Sequence, residues 1–448
     1  MNIEISKGTI IDPQTKTEKR KNLFIKNDKI IAIGRKPSGF KPSLVIDASN
    51  QIVCPGFVEI NAELNPTKER FEENFEKELR AAGKGGFTTI CLTPSEERPL
   101  DTVASINQIN QSAKQYKGPK VFCLGALTVD LKGEQLTEMF NLKRAGCLGL
   151  SNGDNSISNT AVFRNALLYA HTFDLKVFLS SQDKWLSDNA VISEGSTSLE
   201  KGLPSNPQSS ELIELHRNIV LIKETGVKAH LKAITSEKSV KELDRLKNKI
   251  TFDVSIFHAL VAENEIDWMN SSFHIKPPLG SERDRDFLQK ALFKKSIKVL
   301  SSLHRPRSQA AKEGAFEGSV PGATSFETFL PLLLKLRKNL KISLVEAIDY
   351  ITNQPSQVLG LNTGRLSKNN PADICIFNPE HKWSSHPNTF QSTGKNSPFL
   401  DQDMTGKVTA TISEGKIIFY DSKLIKITGK DIEKLFENNT VKSEQAKY

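Results

Sequence analysis

The sequence predicts an α/β protein: a TIM (β/α)8 barrel carrying a small composite β-sandwich built from both termini. Three observations predict it. Strand-like apolar runs alternate with amphipathic helical patterns eight times between residues 54 and 367, as successive βα units do. Short alternating segments with tight turns fill residues 1–53 and return in residues 368–424, so one sheet domain is expected to draw on both ends of the chain. The length, 448 residues, accommodates a barrel of about 250 residues beside a modest second domain.

The elements follow in order. Strands are predicted over 2–6, 8–11, 22–26, 29–33 and 44–47, with Asn27-Asp28 as a hairpin turn. Barrel strands are predicted over 57–61, 87–92, 121–124, 147–151, 176–180, 227–232, 251–256 and 297–302. Helical spacing occupies 71–82, 102–116, 161–172, 211–225 and 239–246, then 325–336 and 344–352. Gly83-Lys84-Gly85-Gly86 lacks the Lys-Ser/Thr pair of a phosphate loop and reads as a helix-to-strand turn. Strands over 372–377, 408–413 and 416–420 close the sandwich, the last two joined at Glu414-Gly415. The Ser-, Gly-, Asn- and Asp-rich segment 183–206 is expected to be a long surface loop packed on itself or on a neighbouring subunit. Residues 425–448 read as a polar, partly disordered tail with a short helix near 431–437.

Composition excludes several classes. The formal charge is +9, yet 61 Lys and Arg are interleaved with 52 Asp and Glu, so the basic block of a nucleic-acid binder is missing. No apolar run approaches the roughly 18 residues of a membrane span, and no targeting segment leads the chain, which predicts a cytoplasmic protein. Cys54, Cys91, Cys123, Cys147 and Cys375 are odd in number and embedded mostly in apolar runs. They are expected to be buried free thiols rather than disulfides or a Cys-x-x-Cys metal site.

On the first barrel strand, Asn61 and Glu63 share one face, because side chains alternate with period two. An amide and a carboxylate are a poorer start for a zinc site than two imidazoles. Around them runs an ordered series: Pro55 to Ile60, Arg80 to Thr89, Pro277-Pro278-Leu279, Phe326-Glu327-Thr328, Pro371-Ala372-Asp373, Ser397-Pro398-Phe399 and Gly406-Lys407-Val408. This series resembles the dihydroorotase branch of the amidohydrolases over nearly the whole chain.

The resemblance implies an amidohydrolase-type barrel and allows its metal positions to be read one by one. The His-x-His positions hold Asn61 and Glu63. The bridging carboxylate falls in Ser151-Asn152-Gly153, with Asp154 nearby. The fifth-strand histidine is Ser180, the sixth-strand histidine is Ala233, and the eighth-strand aspartate that serves as ligand and base is Leu303. Of the substrate-binding positions, the arginine for the substrate carboxylate is Asn65, the asparagine before the double proline is Lys276, and Gly280 stands where an arginine often follows it. No catalytic residue, no substrate-binding residue and no metal ligand is therefore expected, and the zinc site is expected to be lost. His230 and His304 have the opposite parity to positions 233 and 303, so both are expected to face away from the axis as hydrogen-bonded wall histidines. Glu63 with Asp154 makes at best a weak hard-cation site, and a salt-bridge role is expected for both.

Gly125 to Thr128, Gly133 to Leu136, Ser181-Gln182-Asp183, Gly202-Leu203-Pro204 and Ser281 to Asp286 resemble more closely the inactive dihydroorotase-like chains that some bacteria make as partners of aspartate transcarbamoylase. That resemblance implies a non-catalytic subunit in a hetero-oligomer for pyrimidine synthesis. Two other readings stay open: a cyclic amidohydrolase with a relocated site, and a metal-free scaffold of the dihydropyrimidinase-related type.

Overall fold

The computed structural model describes residues 1–64, 70–246, 250–267 and 270–430. Eight parallel strands stand side by side in chain order: Phe57–Ala62, Phe87–Leu92, Lys120–Ala126, Gly149–Ser151, Lys176–Leu179, Ala229–Leu231, Thr251–Ser255 and Val299–Ser301. The ring is nearly closed between the last and the first. Glu63 N–H donates to His304 O at 2.9 Å, and the Glu59 carboxylate accepts the Ser302 N–H at 2.8 Å, so a side chain does part of the bridging that a backbone ladder does elsewhere. The sixth and eighth strands are shorter than their apolar runs. Both end ahead of a residue in the left-handed region, Ala233 at φ 47° and Leu303 at φ 52°.

Alternation divides the strand side chains between two cores. Val177 and Leu179 join the large core beneath the helices, whereas Phe178 joins Val58, Ile60, Cys91, Leu124 and Val299. These residues come from five barrel strands and fill its interior. Val358 and Leu359, from the helix Asn353–Leu359, cap the cluster. Side chains cap the helix starts: Thr102 accepts from Ser105 N, and Ser281 and Asp284 cap each other reciprocally at the head of Glu282–Phe293, a helix not predicted from the sequence. The glycine run ends the helix Phe71–Lys84. Gly86 takes φ 91°, and a Cβ there would sit 2.8 Å from both Cys375 Sγ and the Phe57 ring, so the turn needs glycine for conformation and for space.

The sandwich has a five-stranded sheet, in the order Lys426–Gly429, Leu44–Asp47, Asn2–Ser6, Leu23–Lys26, Lys29–Ile33. Its six-stranded sheet runs Lys416–Tyr420, Asp403–Ser413, Ile374–Ser384, Ile52–Pro55, Thr9–Asp12, Thr17–Arg20. Isoleucines from both ends of the chain, among them Ile3, Ile5, Ile46, Ile374, Ile412 and Ile427, form the layer between them. Two boundaries differ from expectation. Ile52–Pro55 is a sandwich strand that crosses the expected 53/54 division. Lys426–Gly429 pairs antiparallel with Leu44–Asp47, inside the stretch read as a polar tail. The lysines there masked an alternation that sends Ile425 and Ile427 inward. The helix expected near 431–437 lies outside the described residues.

The two domains are joined through Asp373 of the Pro-Ala-Asp motif. Its carboxylate accepts Glu414 N–H and Thr363 Oγ1–H, each at 2.9 Å, and pairs with Lys120 beside the third barrel strand's start. Segment 183–206 is more ordered than a loop. Ile192–Ser193 pairs in parallel with Ser205–Asn206 around the helix Ser196–Lys201, and Val191 and Ile192 pack on Phe316. All five cysteines are buried and unpaired. Burial pushes the Cys147 thiol up to about 12, so it is held protonated. Among the described residues no helix is long and apolar enough to cross a membrane.

Candidate functional site at the barrel mouth

At the carboxyl ends of the strands, where barrel proteins carry their chemistry, charged side chains converge. Arg305, four residues past the eighth strand, forms a two-pronged ion pair with Asp154. Its Nη2–H donates to Oδ1 at 3.0 Å and its Nη1–H to Oδ2. The Nε of the same guanidinium lies 3.3 Å from Glu63 Oε1, close enough for charge attraction but without hydrogen-bond alignment. Arg307 Nη2 stands 3.6 Å from Glu63 Oε2. Lys232 supplies a third cation. Its ammonium donates to Gly153 O at 2.9 Å and Thr93 Oγ1 at 3.1 Å, and lies 3.8 Å from Asp154 Oδ1.

The electrostatics follow from burial and pairing together. Burial alone would push the Asp154 carboxyl up, but the charges of Arg305 and Lys232 and the Arg305 hydrogen bond hold it well below the usual carboxylate range. Burial lowers Lys232 from the ordinary lysine value, with Asp154 opposing the shift. Neighbouring segments set the arginines in place. Arg305 N–H donates to Ala323 O at 2.9 Å. Arg307 donates its N–H to Asn396 Oδ1 at 3.0 Å and its Nε–H to Pro321 O at 2.7 Å.

The expected positions separate into different surroundings. Asn61 is buried, and neither of its amide atoms has a partner among the described residues. Ser180 is half-buried and offers its carbonyl to Asn218 Nδ2 at 3.1 Å. Ala233 donates its N–H to Asp253 Oδ1 at 3.1 Å, and Leu303 is buried hydrocarbon. Lys276 borders a cleft of about 530 Å3 together with Asp154, Glu96, Lys132 and Lys184. Gly280 lies instead on a neighbouring cleft of about 410 Å3, beside Ser281 and Glu211. Gln182 lines both. Asn65 lies outside the described residues.

One parity expectation is corrected. His230 pairs in register with Phe178 and its ring lies against the Phe178 ring, 5.4 Å between centroids. It therefore faces the barrel interior, where Nε2 meets Asp253 Oδ1 at 3.0 Å and Nδ1 meets Thr251 Oγ1 at 2.9 Å. Alternation holds only within a strand, and Ala233 lies beyond the end of Ala229–Leu231 in a left-handed conformation, so its parity says nothing about residue 230. Lys232, two residues on from His230, points inward with it. His304 does face away from the axis. Its ring stacks on Phe326 at 3.7 Å, and its Nε2 meets Glu78 of the first helix at 2.9 Å.

The donor set does not fit the divalent metal centre that the resemblance implies for this fold. Both carboxylates are taken up by guanidinium groups, and the other positions offer an amide, a hydroxyl and two hydrocarbons. Among the described residues no three or more His, Cys, Asp and Glu side chains come together as ligands. Lys232, Arg305 and Arg307 were not singled out by the sequence reading. Their signal was present: a lysine adjoining position 233, and an Arg-Pro-Arg run two residues past position 303.

A parallel barrel whose strand ends converge on one mouth, joined to a sandwich from both termini, is the architecture of the amidohydrolases. Solved structures with this fold include the L-hydantoinase of Arthrobacter aurescens, with a TM-score of 0.81 at 18% identity over 93% of this chain and 96% of that one. The dihydropyrimidinase of Brevibacillus agri gives a TM-score of 0.79 at 18% identity over 94% and 95%. The family model described as dihydro-orotase-like matches residues 50–239. A dihydroorotase-like protein of Pseudomonas putida is 33% identical over 93% of this chain and 99% of its own length. A dihydroorotase of Aquifex aeolicus is 30% identical over 93% and 99%. The chain belongs to the dihydroorotase-like family.

Proposed function

We propose that this chain is a non-catalytic member of its family, a pseudoenzyme that serves as a structural subunit for aspartate transcarbamoylase in de novo pyrimidine synthesis. The observation that carries the non-catalytic part is the seating of Arg305 between Glu63 and Asp154. Hydrolysing a cyclic amide near neutral pH calls for a device that lowers the pKa of water or a base poised to take its proton. Here both carboxylates serve as ion-pair partners, and Asp154 is held so far below the carboxylate range that it makes a poor base. The transcarbamoylase partnership rests on the resemblance of segments 125–136, 181–183, 202–204 and 281–286 to such subunits, and it would make the protein a cytoplasmic one.

One observation favours a second reading, an active dihydroorotase: the 30% identity to a protein of that name. Two measurements separate the readings. Native pull-down of the tagged chain from its own cells is expected to bring down stoichiometric aspartate transcarbamoylase. Assay of the purified chain with dihydroorotate and added zinc is expected to show background turnover. Recovery of the chain alone would remove the subunit role, and chelator-sensitive turnover would establish the enzyme.

A further inference from the structure

We propose that Arg305, seconded by Lys232, is a resident cation that does the structural work of a metal ion, cross-linking the strand ends so that the mouth assembles without one. Charge geometry at the strand ends points to this whether or not the chain partners a transcarbamoylase. Glu63 follows the first strand and Asp154 the fourth, and their side chains are 6% and 16% exposed. Two such carboxylates facing one cavity repel each other and lose hydration, which is unfavourable unless a cation lies between them. Arg305 enters from the eighth strand, with its side chain 3% exposed. It reaches both carboxylates and also donates to the Lys276 carbonyl, at 3.3 Å, on the loop after the seventh strand. Lys232 enters from the sixth strand and ties Thr93, after the second strand, to Gly153, after the fourth. Six strand ends are thus held by two side chains that only donate. A guanidinium suits this position because its planar fan of donors addresses several acceptors at once and stays charged when buried.

The test is thermal unfolding of the full-length protein with EDTA, with magnesium chloride and with zinc chloride, each at millimolar concentration. The wild-type melting temperature is expected to be the same in all three. Arg305→Met keeps an apolar stem and removes the charge. It is expected to melt about 5 °C or more below wild type, and to recover part of that loss, saturably, on addition of either divalent ion. The double variant Arg305→Met with Asp154→Asn is expected to melt above the single variant and to ignore divalent ions. If Arg305→Met does not fold, the double variant alone decides, and its folding in EDTA supports the proposal. A wild-type protein stabilised by zinc or magnesium would overturn it, as would a single variant as stable as wild type or a double variant that is no more stable than the single.

Discussion

His304 donates its Nε2–H to Glu78 Oε2 over 2.9 Å, with neither side chain reaching solvent. The tautomer is fixed from the other side of the ring, where Nδ1 accepts the N–H groups of Ser325 and Phe326 at 3.1 and 3.3 Å. Glu78 is in turn a hub. Its oxygens accept Ser392 Oγ–H and the Thr393 N–H at 2.9 and 2.7 Å, and Glu327 accepts Gln391 N–H at 2.8 Å nearby. A segment between two sandwich strands is thereby clamped to the barrel. Asn396 of that segment holds the Arg307 backbone, so the mouth's charges are partly set by residues late in the chain.

Replacing Glu78 by Ala removes the acceptor of four donors, His304 Nε2–H, Ser392 Oγ–H, Thr393 N–H and Thr393 Oγ1–H, and leaves the His304 Nε2–H without a partner. With the imidazole neutral no charge is left behind, and each buried donor left without an acceptor costs about 1–3 kcal/mol. Urea unfolding is expected to show that loss, together with faster proteolysis within residues 389–397. A loss below about 1 kcal/mol, the range of an exposed pair, would mean that the clamp contributes little.

Restoring histidine at positions 61 and 63 together is expected to give no zinc-dependent turnover of dihydroorotate. Ser180, Ala233 and Leu303 would remain non-ligands. Loss of Glu63 would also leave Arg305 and Arg307 short of a counter-charge, so the double variant is expected to be less stable as well. Measurable turnover that chelators abolish would show that the remaining positions matter less than their chemistry implies.

Two buried histidines are expected to withdraw stability on mild acidification. Burial holds His258 at about 4, its Nε2–H spent on Pro278 O at 3.1 Å. Burial and the Lys312 charge hold His274 at about 4 as well. The unfolded chain takes up these protons near pH 6.5, so the contribution is complete above that pH and is lost as pH falls from there towards 4. Each histidine accounts for up to about 3 kcal/mol. Asp154, held low by its cations, adds its own loss only below about pH 4. Urea midpoints that stay level between pH 7.5 and 5 would contradict the burial argument.

Phe178→Ala opens a cavity in the plug beneath the mouth, among Val58, Cys91, Leu124 and Val299, with the half-buried Phe122 packed beside them. The expected cost is about 3–5 kcal/mol. Calorimetry should register it as a lowered melting temperature with the same fold by circular dichroism. A shift of a degree or less would mean that the interior relaxes to fill the gap.

The barrel was legible because each strand is an apolar run of about the right length and most of the intervening helices carry helical spacing. The residue types at the positions where the resemblance implies ligands could be read directly, Ala233 and Leu303 being hydrocarbon. The charged cluster beside them could not. Arg305 and Lys232 are ordinary basic residues in a lysine-rich chain, and only the left-handed turns at 233 and 303 decide where their side chains go. The same turns defeated the parity argument for His230, because period-two alternation is a property of extended backbone. The strand Lys426–Gly429 stayed hidden because its apolar signal amounts to two isoleucines among charged neighbours.

Gln51 Nε2 donates to Leu424 O across 373 residues of chain, and Leu44–Asp47 receives its outer neighbour only when residues 426–429 have been made. On a ribosome adding about 5–20 residues per second, the amino-terminal sheet waits on the order of 20–75 s with one edge open while the whole barrel emerges. The edge strand itself carries one charged side chain, Asp47, paired with Lys7 at 2.7 Å. Synthesis order thus makes the sandwich the last part to be sealed, and the interval before sealing is when another strand has its best opportunity to take the place of the chain's own.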